Sequence, residues 1–137
     1  MGPSLVTEVS GIDIADETYL RVRPGVLAPV IADPGSWRRW WPDLTPAVTK
    51  DRGVKGQQWG VTGALRGTME VWLEAVGDGT VVHWYLRADP PAQFAPWRLR
   101  RERVRRVLAW KSHMFALKDR VEATAGLKDL ARSAESL

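Results

Sequence analysis

Cysteine is absent from the 137 residues. That excludes disulfides, thiolate metal sites and a thiol nucleophile, and it fits a reducing compartment. Histidine is nearly absent: His83 and His113 are the only two. They lack metal-ligand spacing, and the chain holds no HExxH, Gly-rich phosphate loop or nucleophile elbow. Long apolar runs are missing too. Val26 to Ala32 contains Pro29 and is far too short to span a bilayer. The start, Met1-Gly2-Pro3-Ser4-Leu5, lacks the basic and apolar regions of a secretory signal. These absences lead to the expectation of a soluble, cytoplasmic protein with no metal, no cofactor and no visible catalytic motif.

What is present is unevenly spread. Phe and Tyr number two each, against eight Trp. Trp is an awkward filler for a small core, because its N–H needs an acceptor. A wide Trp-lined cavity and plain core packing both explain the count. Net charge is +4, and the excess is local: Arg98, Arg100, Arg101, Arg103, Arg105, Arg106 and Lys111 face only Glu102 in that stretch. Such a cluster suits an anionic partner or a solvated helix face. Apolar residues make up 45% and charged residues 26%, usual for one globular domain.

Residues 1–12 read as an irregular extension. From Ile14 to Val22 the pattern alternates as a strand does, and Pro24-Gly25 opens a short helix over Val26 to Ala32. Ser36 is placed to cap a second, Trp37 to Trp41, which Pro42 stops. Ala47–Asp51, Gln57–Ala64, Thr68–Val76 and Thr80–Ala88 read as strands, with Gly77-Asp78-Gly79 as a hairpin signal. Between Phe94 and Ala123 no Gly occurs and no Pro beyond Pro96, which predicts one long helix ending near Gly126. With Val104 as zero and about 100° per residue, its apolar residues fill an arc from about 220° to 40°. Arg100, Lys111 and Lys118 fall inside that arc, at about 320–340°. A cation there needs a partner or must snorkel to water.

The order of elements, strand, two short helices, antiparallel meander and long C-terminal helix, is that of an α+β helix-grip fold. At the residue level, Ala32-Asp33-Pro34-Gly35-Ser36-Trp37-Arg38-Arg39-Trp40-Trp41-Pro42 resembles the ADP-x-x-W-x-x-W-W-P segment of the SRPBCC (START-like) superfamily. Gly67 to Glu74 with Gly77 to Val82 resembles its final hairpin, and Ala116 to Glu122 the end of its last helix. The polyketide cyclase/dehydrase-like branch is the nearest in pattern. The resemblance implies a curved antiparallel sheet of about five to six strands around the last helix. Residues 13–125 would form that domain, and 126–137 a tail. The family usually places about five strands between the short helices and the last helix, whereas four are counted here, which implies a smaller or more open cavity.

The resemblance further implies an apolar pocket between sheet and helices. Trp40, Trp59, Val71, Trp84, Leu86, Trp110 and Met114 are the candidate lining residues, and Lys111 is the candidate partner of a ligand carboxylate. Val82, Trp84 and Leu86 would face inward with Met69, Val71 and Leu73. Trp72, His83 and Tyr85 would face outward, giving an aromatic patch suited to a homodimer. His113, near 180° on the helix, reads as a surface residue. Asp33 and Asp43 bracket the second short helix, and Asp33 most simply ends the first. The leading functional expectation is a carrier or sensor of a hydrophobic, lipid- or polyketide-like molecule. The alternatives are a cyclase or dehydratase, with Lys111 or Tyr19 steadying an enolate, and an interaction protein using the basic helix for anionic partners. No specific nucleic-acid partner is expected.

Overall fold

Residues 11–135 are described by a computed structural model. Most of the expected N-terminal extension, residues 1–10, lies outside the described residues, as do 136 and 137. Five strands form one antiparallel sheet: β1 (Ile12–Leu20), β2 (Leu44–Asp51), β3 (Gly56–Gly63), β4 (Arg66–Val76) and β5 (Gly79–Asp89), in the spatial order β1-β5-β4-β3-β2. Helices α1 (Pro24–Ala32) and α2 (Pro34–Trp40) follow β1, and α3 (Pro96–Glu135) is the last described element. The architecture is the helix-grip fold, a curved sheet closed by a long C-terminal helix.

Local chemistry sets the boundaries. Pro24 occupies the first turn of α1, where its missing N–H costs nothing. The cap of α2 is Asp33, not Ser36. The Asp33 carboxylate accepts from the Gly35 N–H at 2.9 Å, Pro34 starts the helix, and Ser36 is buried. Asp33 thus closes one helix and opens the next. At the β4–β5 hairpin Val76 pairs with Gly79, and Gly77 takes φ +59° in the first central position, where a type II′ turn needs glycine. The 3-10 turn Gly53–Lys55 leads into β3 through Gly56 at φ +110°. A Cβ on Gly56 would run into the Val71 carbonyl.

Register decides which side chains meet. Met69 lies opposite Leu86, Val71 opposite Trp84, and Leu73 opposite Val82; all six are buried on the inner face. β1 adds Ile12, Ile14 and Leu20 to this layer, and α1 adds Leu27 and Ile31. From α3 come Trp110, Met114 and Leu117. Each such aliphatic side chain contributes about 1.5–3 kcal/mol when fully withdrawn from water.

α3 departs from expectation in two ways. It runs through Gly126 to Glu135, so that glycine does not end it. Its wide apolar arc also divides. Trp110, Met114 and Leu117, near 220–280°, enter the core, whereas Val104, Leu108 and Phe115, near 0–40°, face outward and are exposed.

Candidate functional site

The hollow that the curved sheet and α3 enclose is occupied by the protein's own indoles. Trp41, from the end of α2, lies parallel to Trp110 of α3 at 5.7 Å between ring centroids. Trp110 stacks on Trp84 of β5 at 4.9 Å. Trp59 of β3 meets Trp41 edge-on at 5.6 Å, and Trp40 meets both Trp41 and Trp110 edge-on. Offset stacks and T-shaped pairs at these separations are the favoured aromatic arrangements. Trp59, Val71, Leu86 and Met114, expected to line an apolar pocket, are buried within this core.

What remains open is a cleft of about 270 Å³ between the end of α2 and α3. Trp40, Trp41, Trp84 and Trp110 form its floor, Ala109 one wall, and Arg39, Asp43, Arg105, Arg106 and His113 its rim. Sequence reasoning thus brought Trp40, Trp84 and Trp110 to this place, and missed Trp41, Arg39, Arg105, Arg106 and His113. For those on α3 the missed signal is the helix wheel. Ala109, His113 and Arg106, at about 140–200°, share the flank of α3 that borders its core face.

The rim is partly neutralised. Buried Arg106 donates to Asp43 Oδ1 and Oδ2 at 3.2 and 2.6 Å and to Glu102 Oε1 at 2.9 Å. Arg105 donates to Glu102 Oε1 at 2.6 Å and stands 3.9 Å from Asp43. Burial pushes the Glu102 carboxyl up, but the hydrogen bonds and charges of Arg105 and Arg106 outweigh it, so its pKa lies below the usual value. Those four charges cancel. Arg39 has no ion-pair partner among the described residues and leaves the rim cationic. Burial first, and the Arg39 charge second, hold the His113 pKa below its ordinary 6.5, so the imidazole is neutral at pH 7.

The packed indoles carry an unusual polar feature. The indole N–H groups of Trp41, Trp59, Trp84 and Trp110 are all buried and find no hydrogen-bond acceptor among the described residues. Such a group costs about 1–3 kcal/mol when it is buried without an acceptor. Trp37, by contrast, donates its N–H to the Ile31 carbonyl at 2.7 Å.

Lys111 lies elsewhere. Its ammonium stands 3.1 Å from Asp16 Oδ2 and donates to the Glu17 carbonyl at 2.6 Å and to Thr18 Oγ1 at 3.0 Å. It secures α3 to β1, and its charge is already met by the largely buried Asp16 carboxylate. Tyr19 is exposed and donates to Asp78 at 2.9 Å, which raises the phenol pKa and lowers that of Asp78. It does not border the cleft.

On the outer sheet face His83 lies between Trp72 and Tyr85, with ring centroids at 4.3 and 6.1 Å. Its Nε2 meets Glu74 at 2.9 Å and its Nδ1 meets Glu17 at 3.4 Å. It points outward as the alternation predicts, but it is buried under its neighbours rather than solvated. Beside it lies an open groove of about 490 Å³ bordered by Gln58, Glu70, Tyr85 and Arg87. The Glu70 carboxylate there is already held by Arg52 at 2.9 Å. Among the described residues, no helix is long and apolar enough to cross a membrane.

No family model matches the chain, and no curated sequence is significantly similar to it. Solved structures are similar in fold. The solution structure of the Aha1 dimer from Colwellia psychrerythraea superposes with a TM-score of 0.56 at 15% identity, over 79% of this chain and 94% of that one. CalU16 from Micromonospora echinospora gives a TM-score of 0.54 at 15% identity, over 84% and 87%. At that identity the likeness is one of backbone architecture.

Proposed function

We propose that the protein is a binding module for a small aromatic anion, held in the cleft between α2 and α3. The observation that carries this reading is one place in the structure. Trp41, Trp84 and Trp110, three buried indoles whose N–H groups find no acceptor among the described residues, line a cleft whose rim holds Arg39, which has no ion-pair partner among them. A planar ligand lies in the cleft against the indoles of its floor, and its carboxylate or enolate meets Arg39 and Arg105. Its acceptor atoms can take up an indole N–H once a ring shifts, recovering free energy that the packed stack forgoes. The START-like sequence pattern of Ala32 to Pro42 supports the same class of role, that of a carrier or sensor of a hydrophobic metabolite. At about 270 Å³ the cleft lies just below the usual range for ligand pockets, which favours one or two rings over a long lipid chain.

The test is a titration followed by indole fluorescence, using naphthoate and its neutral counterpart naphthalenemethanol. Naphthoate should quench the emission and bind at least about tenfold more tightly, a difference of about 1.4 kcal/mol. Ala109→Trp, which fills the mouth of the cleft, should abolish binding. Equal affinity for the two probes, or unchanged binding by Ala109→Trp, would discard the reading.

A homodimer through the outer sheet face is a separate reading, favoured by the half-buried Trp72 and Tyr85 and by the dimeric state of the structurally similar Aha1 protein. Light scattering on a gel-filtration column tests it; a monomer at high concentration refutes it.

A further inference from the structure

The side of α3 that faces away from the sheet leaves large apolar side chains uncovered by the described residues. Trp97, Val104, Leu108 and Phe115 fall at about 20°, 0°, 40° and 20° on the wheel. Their exposures are 60, 50, 64 and 54%. About eighteen residues of helix make this apolar stripe about 27 Å long. Its borders are cationic: Arg100 at about 320° and Arg101 at about 60° flank it on either side. Both are exposed, and neither has an ion-pair partner among the described residues. Glu102, the single acidic residue from 97 to 115, sits at about 160° and is consumed by Arg105 and Arg106.

We infer that this face of α3 docks the protein on an anionic lipid bilayer, with α3 parallel to the membrane plane. Trp97, Leu108 and Phe115 enter the boundary between headgroups and acyl chains, and Arg100 and Arg101 lie at the level of the phosphates. An apolar stripe bordered by cations, with an indole at one end, is the pattern that lets a helix rest in such an interface. The other occupants fit less well. A second copy aligned in parallel would set arginine against arginine. Aligned antiparallel, it would offer residues 116–135, where Lys118, Arg120, Lys128 and Arg132 offset Asp119, Glu122, Asp129 and Glu135, so no complementary charge meets the basic half. A nucleic acid would satisfy the arginines and leave the stripe in water.

Flotation with phosphatidylcholine vesicles, with and without phosphatidylglycerol, tests the inference on the full chain. The protein should float with the anionic vesicles and not with the neutral ones. The double variant Leu108→Ser/Phe115→Ser should lower vesicle affinity at least about tenfold, and Arg100→Ser/Arg101→Ser should lower it similarly, both with unchanged thermal midpoints because all four side chains are exposed. Absence of flotation overturns the inference. So does undiminished flotation of the serine double variant at the stripe, which would reduce the interaction to charge alone. Retention on duplex DNA without vesicle binding would assign the arginines to nucleic-acid phosphates instead.

Discussion

Two cations on α3 show how a single residue's neighbours decide what it does. Lys111 and Arg106 both project from the border of the core face, and both meet carboxylates. Arg106 shapes the cleft, whereas Lys111 fastens the helix to β1. Lys111→Met should therefore destabilise the fold by about 1–3 kcal/mol, since Asp16 keeps a largely buried carboxylate without its cation. Urea denaturation measures that loss. Naphthoate affinity should stay within about twofold, because Lys111 does not border the cleft. His113 adds a pH dependence. Between its depressed folded pKa and the ordinary 6.5, the unfolded chain holds a proton that the folded chain does not. Stability contributed by the neutral imidazole is thus present above pH 6.5 and lost as the pH falls through that window. His113→Gln should flatten this part of the stability profile, as measured by chemical denaturation from about pH 7.5 to about pH 5.

At the scale of elements, alternation and turn chemistry carried most of the information. Four strands were legible because inward positions such as Met69, Val71 and Leu73 alternate with outward neighbours, and because Gly77 demands a tight hairpin; of β2 (Leu44–Asp51), largely exposed beyond Leu44, only Ala47–Asp51 was read. The bounds of β1 were less legible. It spans Ile12–Leu20 rather than Ile14–Val22, since Val22 continues the alternation after the pairing with β5 has stopped at Leu20 opposite Thr80. The end of α3 was not legible at all. Gly126 is a common stop signal, yet here the helix passes through it, and a Cβ at that position would meet nothing within 4 Å. Gly126→Ala should therefore stabilise the last turns by about 0.5–1 kcal/mol, seen as increased helical circular dichroism near the thermal midpoint. A decrease would mean that the glycine's backbone freedom is used.

For the whole molecule, the order of elements was enough to foresee a sheet gripping a helix, but not the state of its interior. Eight tryptophans suited a wide cavity and a filled one equally, because composition fixes side-chain volume and leaves open where the rings lie. In three dimensions the adjacent pair Trp40 and Trp41 folds inward onto Trp110, and Trp84 completes the stack, so the space between sheet and helix is filled and a cleft is left at the α2–α3 edge. The cationic rim was hidden for a similar reason. Arg39 and Asp43 are far from Arg106 in sequence, and only closure of the α2–β2 connection over α3 brings them together. The eight indole N–H resonances in a nitrogen-15 correlation spectrum test this arrangement directly. On addition of naphthoate, those of Trp41, Trp84 and Trp110 should shift while that of Trp97 on the outer helix face stays still; a response confined to Trp72 or Trp97, with the stacked indoles unmoved, would contradict the account.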